Sequence, residues 1–435
     1  MNSKVIHFND ALPIAAKAIH GAGVDSGKVL ILRDIYGRIR VAFDGVPDPH
    51  HDVLRTALAA LGAFGAPQDH VLLYRSDFFD PDAVFNDPSI LNVQVPGSDL
   101  RVRLLDRQIV GQDWLMPHEP GVTPRLVFYG FKGGVGRTTA VTILAYHLAN
   151  LGKRVLLLDF DLESPGLSSL VLPLEGRADF GLVDWFIEDG VGQGAVITPR
   201  LVAASPLGQT TQGAIRVVAA MGQETGDDYY VSKLARVYAD VNRNGGVERF
   251  ADRVRRLVAE LEAQEQPDVV LIDSRAGLHD LAAIGIVGLS TTTYLFAAGS
   301  AQSWQGYRLL FSHWRAYPEV LARIRDRLVM VHALFPEMDQ LASADRFLEE
   351  SYTLFTDTLY ERIAPGAETQ AEVFSFDLKD EAAPHYPVRI RWHNSLQEFD
   401  PLLRSRHILD DALIAATFGD FLQRVETDLG GTQDG

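Results

Sequence analysis

One short stretch limits the fold more than any other: Gly130-Phe131-Lys132-Gly133-Gly134-Val135-Gly136-Arg137-Thr138-Thr139 joins the apolar run Leu126-Val127-Phe128-Tyr129 to a helix-forming segment reaching about Asn150. A glycine-rich turn between a buried strand and a helix is the setting of a phosphate-binding loop. Glycine lets the backbone adopt positive φ and bring its N–H groups against phosphate oxygens, and the following helix adds its positive end. Gly136 and Thr138 fit the pattern G-x-x-x-x-G-K-[ST], with Thr138 where a hydroxyl holds Mg²⁺. Phe131 stands in place of the first glycine, and Arg137 replaces the loop lysine with a wider planar fork that is always ionised.

After Pro124 the chain alternates apolar strands with helices. The strand candidates are 126–129, 155–159, 215–220, 269–272, 293–296 and 328–331, with Tyr386–Arg391 as a last one. Short apolar runs separated by helices imply βαβ units and strands covered on both faces. The expected fold class is therefore α/β, a doubly wound, mostly parallel sheet with a P-loop. The first 115 residues read as a small α+β domain, with a hairpin of Lys28–Arg33 and Ile39–Phe43, a helix from about His51 to Phe64, and strands at 70–74 and 100–105. His50-His51-Asp52 reads as the start of that helix rather than a metal site. Proline-rich 116–124 is the expected linker, 125–428 the second domain and 429–435 a polar tail.

Composition removes several functional classes. With no cysteine among 435 residues, disulfides, iron–sulfur clusters and thiol nucleophiles are excluded. The formal charge of −17 opposes diffuse attraction to nucleic acid or anionic lipid. The start Met1-Asn2-Ser3-Lys4 lacks the layout of a secretory signal, so the expected location is cytoplasmic. Leu281–Ser300 is nearly long enough to span a membrane but contains Gly285, Gly288 and Thr291-Thr292-Thr293. It reads as a buried helix followed by a buried strand.

Lys132-Gly133-Gly134-Val135-Gly136 resembles the deviant Walker A motif of the ParA/MinD ATPases, a SIMIBI-type P-loop family, with Arg137 as the departure. Two later segments fall in the order that family has. Asp159-Phe160-Asp161-Leu162-Glu163-Ser164-Pro165-Gly166 follows the second strand, and Val269-Val270-Leu271-Ile272-Asp273-Ser274-Arg275-Ala276-Gly277 has the form of a Walker B strand. The resemblance covers about 123–428 and points to a branch with the forms Lys-Gly-Gly-x-Gly-Arg and Asp-Ser-Arg-x-Gly. It implies ATP and Mg²⁺ as cofactors, with Gly133, Gly134, Val135, Gly136, Arg137, Thr138 and Thr139 around the phosphates. Thr138, Asp159 and Asp273 would serve the metal, and Asp161 would position the attacking water. Lys132 would reach across a homodimer to the partner's nucleotide. Ser274 or Arg275 would sense the γ-phosphate, and Pro336, with Asn394 as a weaker candidate, would lie near the base.

Members of the family that use cysteines are excluded, and so are tyrosine kinases with a C-terminal tyrosine cluster, because the last tyrosine is Tyr386. The final helix, about 408–429, carries five acids against Arg424, which opposes membrane docking, and its stripe Leu413, Ile414, Phe418 and Leu422 is expected to pack on the sheet. Lys233, Arg236, Arg243, Arg249, Arg253, Arg255 and Arg256 are the candidates for a DNA-binding patch. Acids interspersed among them favour a salt-bridged face, so DNA is not the expected partner. The leading expectation is a dimerising ATP switch with slow hydrolysis that signals to a protein partner or to the first domain. The alternative is a nucleotide-binding scaffold that hydrolyses little because of Arg137 and serves a bacterial multi-protein system, for instance an antiviral one.

Overall fold

The computed structural model describes residues 5–48, 51–243, 245–361, 373–403 and 409–431; His50, Ile408 and residues 432–435 of the expected tail lie outside them. The chain divides into two units, one of residues 1–116 with 312–323, the other of 117–311 with 324–435. The second domain expected as continuous from 125 to 428 is thus interrupted: twelve residues from its middle belong with the first unit.

In the first unit, Val29–Arg33 (β1) and Ile39–Phe43 (β2) form the expected antiparallel hairpin, which closes through Gly37 at φ 82°. Leu72–Tyr74 (β3), Leu91–Gln94 (β4) and Arg101–Asp106 (β5) complete a mixed sheet of order β3-β2-β1-β5-β4. The helix expected to run to Phe64 stops at Leu58 and tightens into 3₁₀ turns over Ala59–Phe64, where Gly62 has φ 55°. Other elements escaped the sequence reading. The helix Phe8–Gly21 contains Pro13, and β4 is an edge strand with one buried residue, Val93. Residues 312–323 bring Trp314, whose ring lies 6.0 Å from that of Trp114 and whose Nε1 donates to the Trp114 carbonyl at 2.9 Å.

In the second unit the sheet is built from Arg125–Gly130 (β6), Arg154–Phe160 (β7), Val202–Ala204 (β8), Ala214–Val218 (β9), Val269–Ser274 (β12), Thr292–Ala297 (β13), Leu328–Phe335 (β14) and Val388–Arg391 (β15). Between β9 and β12 a separate hairpin pairs Val241–Arg243 (β10) with Gly246–Glu248 (β11). The sheet order is β15-β14-β13-β6-β12-β7-β9-β8, parallel except for β8, which pairs antiparallel at the edge. Every residue of β6 and β12 is buried, which is why both strands read as mostly apolar runs. On one face Phe128 stacks on Tyr294 at 5.4 Å, and Phe421 packs edge-on against both.

Phe421 comes from the last helix, Asp411–Gly431, whose Ile414, Phe418, Leu422 and Val425 are buried with it; Leu413 is only half-buried. That helix continues through Gly430 and Gly431, so the first residues of the expected polar tail are helical. The weakly polar stretch 281–300 folds as a short helix, Asp280–Ala283, then a π-helical segment, Ile284–Leu289, then β13. Among the described residues no helix is long and apolar enough to cross a membrane.

Candidate nucleotide and metal site

The loop from Phe131 to Gly136 leaves the C-terminal end of β6 and enters the helix Arg137–Asn150. Gly134 and Gly136 hold φ of 75° and 74°, which side chains with a Cβ rarely adopt. Gly136 is the residue before the helix, and no side chain caps the first turn. The first-turn N–H groups of such a helix are donors aimed at an incoming anion. Phe131 packs beside Tyr307, and a Cβ at Gly306 would stand 2.1 Å from its ring, so that helical glycine makes room for the loop.

Sheet order supplies the acids. β12 lies between β6 and β7, and its register sets Asp273 beside Asp159 at the strand ends next to the loop. Asp159 is fully buried and accepts from the N–H groups of Asp161 and Ser168 at 3.4 and 3.3 Å. Burial first, and then the charge of Asp273, push its carboxyl up to about 8. Thr138 Oγ1 donates to Asp273 Oδ2 at 2.7 Å. Arg137 does not extend toward the loop mouth: its Nε donates to Asp273 Oδ1 at 2.6 Å and its Nη2 to Asp161 Oδ2 at 3.3 Å. The other oxygen of Asp161, Oδ1, is buried without a partner, and burial raises this carboxyl despite the opposing charge of Arg137.

The neighbouring Asp-x-Glu position is also tied down. Burial opposes ionisation of Glu163, but hydrogen bonds from His279 and Tyr238 and the charge of Arg275 outweigh it and hold the carboxyl at about 2. Arg275 Nη1 lies 2.6 Å from Glu163 Oε2, and Ser274 is buried with its Oγ 3.5 Å from the Arg275 carbonyl. Lys132 is exposed.

Beside the loop a cavity of about 260 Å³ is lined by Gly134, Gly136, Thr139, Leu334, Trp392 and His393, among others. Leu334 holds φ 54° where β14 slips register against β15, and its side chain leans over Gly136. Pro336 does not line this cavity. It borders an adjoining hollow of about 690 Å³ with Glu337, Asp339 and Arg346, and only Leu334 and Trp392 are common to both. Asn394 opens the short turn Asn394–Leu396 just beyond. The sequence reading missed Trp392, His393 and Gln397; the available signal was an aromatic residue directly after the last strand, at the carboxyl edge where such sheets bind ligands.

Site and fold define a P-loop nucleotide-binding protein. Residues 126–284 match the family model of the CobQ/CobB/MinD/ParA nucleotide binding domain, so this stretch is similar to the nucleotide-binding domain of those proteins. Similar solved structures include pNOB8 ParA bound to nonspecific DNA, at 17% identity over 72% of this chain and 99% of that one, with a TM-score of 0.44. Cobyrinic acid a,c-diamide synthase from Mycobacterium smegmatis, with a bound ATP analogue and magnesium, aligns at 19% identity over 68% and 96%, TM-score 0.36. The apo McdA of Cyanothece aligns at 12% over 71% and 99%, TM-score 0.42. No curated protein matches the chain.

Proposed function

We propose that this protein is an ATP- and Mg²⁺-dependent, dimerising switch of the ParA/MinD type, cytoplasmic, which hydrolyses ATP slowly and passes its state to a protein partner or to its own first unit. The observation that carries this is the convergence, at one open helix N-terminus, of two positive-φ glycines, a Thr138–Asp273 hydrogen bond and a buried, unpartnered oxygen of Asp161. A hydroxyl and carboxylates are oxygen donors of the kind Mg²⁺ takes, together with water and phosphate. Mg²⁺ supplies charge neutralisation at the phosphates when bound.

In this reading the N–H groups from Gly133 to Thr139 hold the phosphates, and Thr138, Asp273 and Asp159 serve the metal. Asp161 orients the attacking water, and Lys132, exposed at the loop, reaches the partner's nucleotide. The cavity at Leu334 and Trp392 takes the base side, with Pro336 at its outer neighbour. Asp161→Ala is expected to lower ATP turnover at least about 100-fold while ATP binding persists; equal turnover sinks the assignment. Light scattering without nucleotide, with ADP and with ATP plus Mg²⁺ is expected to show a dimer only in the last case, absent in Lys132→Ala. A mass unchanged across all three removes the switch.

The second reading, a scaffold with little hydrolysis, is favoured by the engagement of Arg137 with Asp273 and Asp161 instead of the loop mouth. Tight ATP binding without turnover in the wild type selects it. DNA was not the expected partner, whereas one similar structure is a ParA on nonspecific DNA. In this chain Arg243, Arg253 and Arg256 all pair with Asp189 at 2.8 to 2.9 Å, and Lys233 pairs with Asp184 at 2.7 Å. Those charges are committed to carboxylates, so little retention on DNA is expected in the ATP state even at low salt.

A further inference from the structure

We propose that Arg137 is a built-in counter-ion: its guanidinium occupies the metal's place beside Asp273 and Asp161, and it must release these acids for nucleotide and metal to enter. The inference rests on the nucleotide reading above and deepens it, because it makes metal entry conditional on phosphate.

Both oxygens of Asp273 are already engaged, Oδ1 by Arg137 Nε at 2.6 Å and Oδ2 by the Thr138 hydroxyl at 2.7 Å. The same guanidinium reaches Asp161 at 3.3 Å. Arg137 is 8% exposed and Asp273 1%, so bulk water does not balance these charges. Two carboxylates brought together at so sheltered a place need a cation. A planar fork meets both of them side-on with Nε and Nη2, a geometry that a lysine ammonium, a single point of charge, does not offer. A guanidinium also stays charged on burial, so the seat never empties by proton loss.

A divalent ion entering here would meet that positive charge at close range. Phosphate oxygens at the loop change the balance, because the arginine begins the helix that the loop feeds and can exchange a carboxylate partner for a phosphate one. The freed acids then face the metal and its waters. Nucleotide and metal therefore bind with strong positive coupling, and either alone binds weakly.

The test uses the full chain without nucleotide. Mn²⁺ is titrated and the bound ion read by electron paramagnetic resonance, with thermal midpoints measured with and without Mg²⁺. Arg137→Met is expected to bind Mn²⁺ at least about tenfold more tightly than wild type, within the roughly 5–150-fold range of coupled sites. Its midpoint is expected to rise with Mg²⁺ where that of wild type does not. Arg275→Met removes the positive charge paired with Glu163 instead and is expected to match wild type. If Arg137→Met does not fold, Arg137→Lys decides by the same titration: Mn²⁺ affinity above wild type supports the proposal, and equal affinity overturns it. Unchanged Mn²⁺ affinity in Arg137→Met, or an equal gain in Arg275→Met, also overturns it. Equilibrium dialysis of wild type with ATP and Mg²⁺ separates the two failures. No ATP binding sinks the nucleotide reading itself, whereas normal ATP binding with unchanged Mn²⁺ affinity sinks only the counter-ion.

Discussion

His332 shows how a single residue in this fold carries a measurable cost. It is buried in β14, its ring stacks on Phe347 at 3.9 Å, and its Nδ1 has no partner. Burial, and then the charges of Arg389 and Arg346, hold it down at about 4, against 6.5 for a free imidazole. The unfolded chain therefore binds a proton that the folded one refuses between these values, and stability falls as pH drops from about 6.5 to about 4. His332→Phe is expected to remove about 1–3 kcal/mol of that acid loss, seen as a flatter pH profile of the denaturation midpoint. An unaltered profile counts against this account. The positive φ of the loop glycines and the strand-end positions of Asp159 and Asp273 were legible residue by residue because they depend on local backbone and strand length alone. The direction taken by Arg137 was not: its partners, Asp161 and Asp273, lie 24 and 136 residues away and meet it only through strand order.

At the scale of elements, the strands of the large sheet could be read from sequence because burial on both faces leaves them mostly apolar. β8 and β4 could not: three or four residues long and at edges, they carry little pattern. Leu334 marks a similar limit, since the slip between β14 and β15 that gives it φ 54° is set by pairing between strands. The final helix contributes the aromatic centre of one face, where Phe421 meets Phe128, Tyr294 and Phe296 at 5.6 to 6.3 Å. Phe421→Ala is expected to cost about 3–5 kcal/mol in urea unfolding, the range for emptying a buried aromatic site. A loss below about 1 kcal/mol would mean the helix is not part of the cooperative core.

The division into two units is the feature of the whole molecule that sequence reading placed only in part. Proline-rich 116–124 marked one crossing, and two more, at 311/312 and 323/324, fall inside and just after helical segments that look like the rest of the second domain. Trp314 and the Asn92–Glu319 contact at 3.4 Å belong to the first unit although their segment arrives about 200 residues late. A protease site inserted at Val122, which is fully exposed, is expected on cleavage to leave both fragments co-eluting under native conditions, because 312–323 stays packed with 1–116. Separate peaks would refute this.

That interleaving has a consequence for how such a chain can be recombined. A unit closed by its own consecutive residues can be moved between genes as a cassette through one junction. Here the helix Ala301–Arg315 begins in one unit and ends in the other, so any swap of the first unit must also carry the matching twelve residues deep in the second. The first unit cannot be transplanted through a single junction.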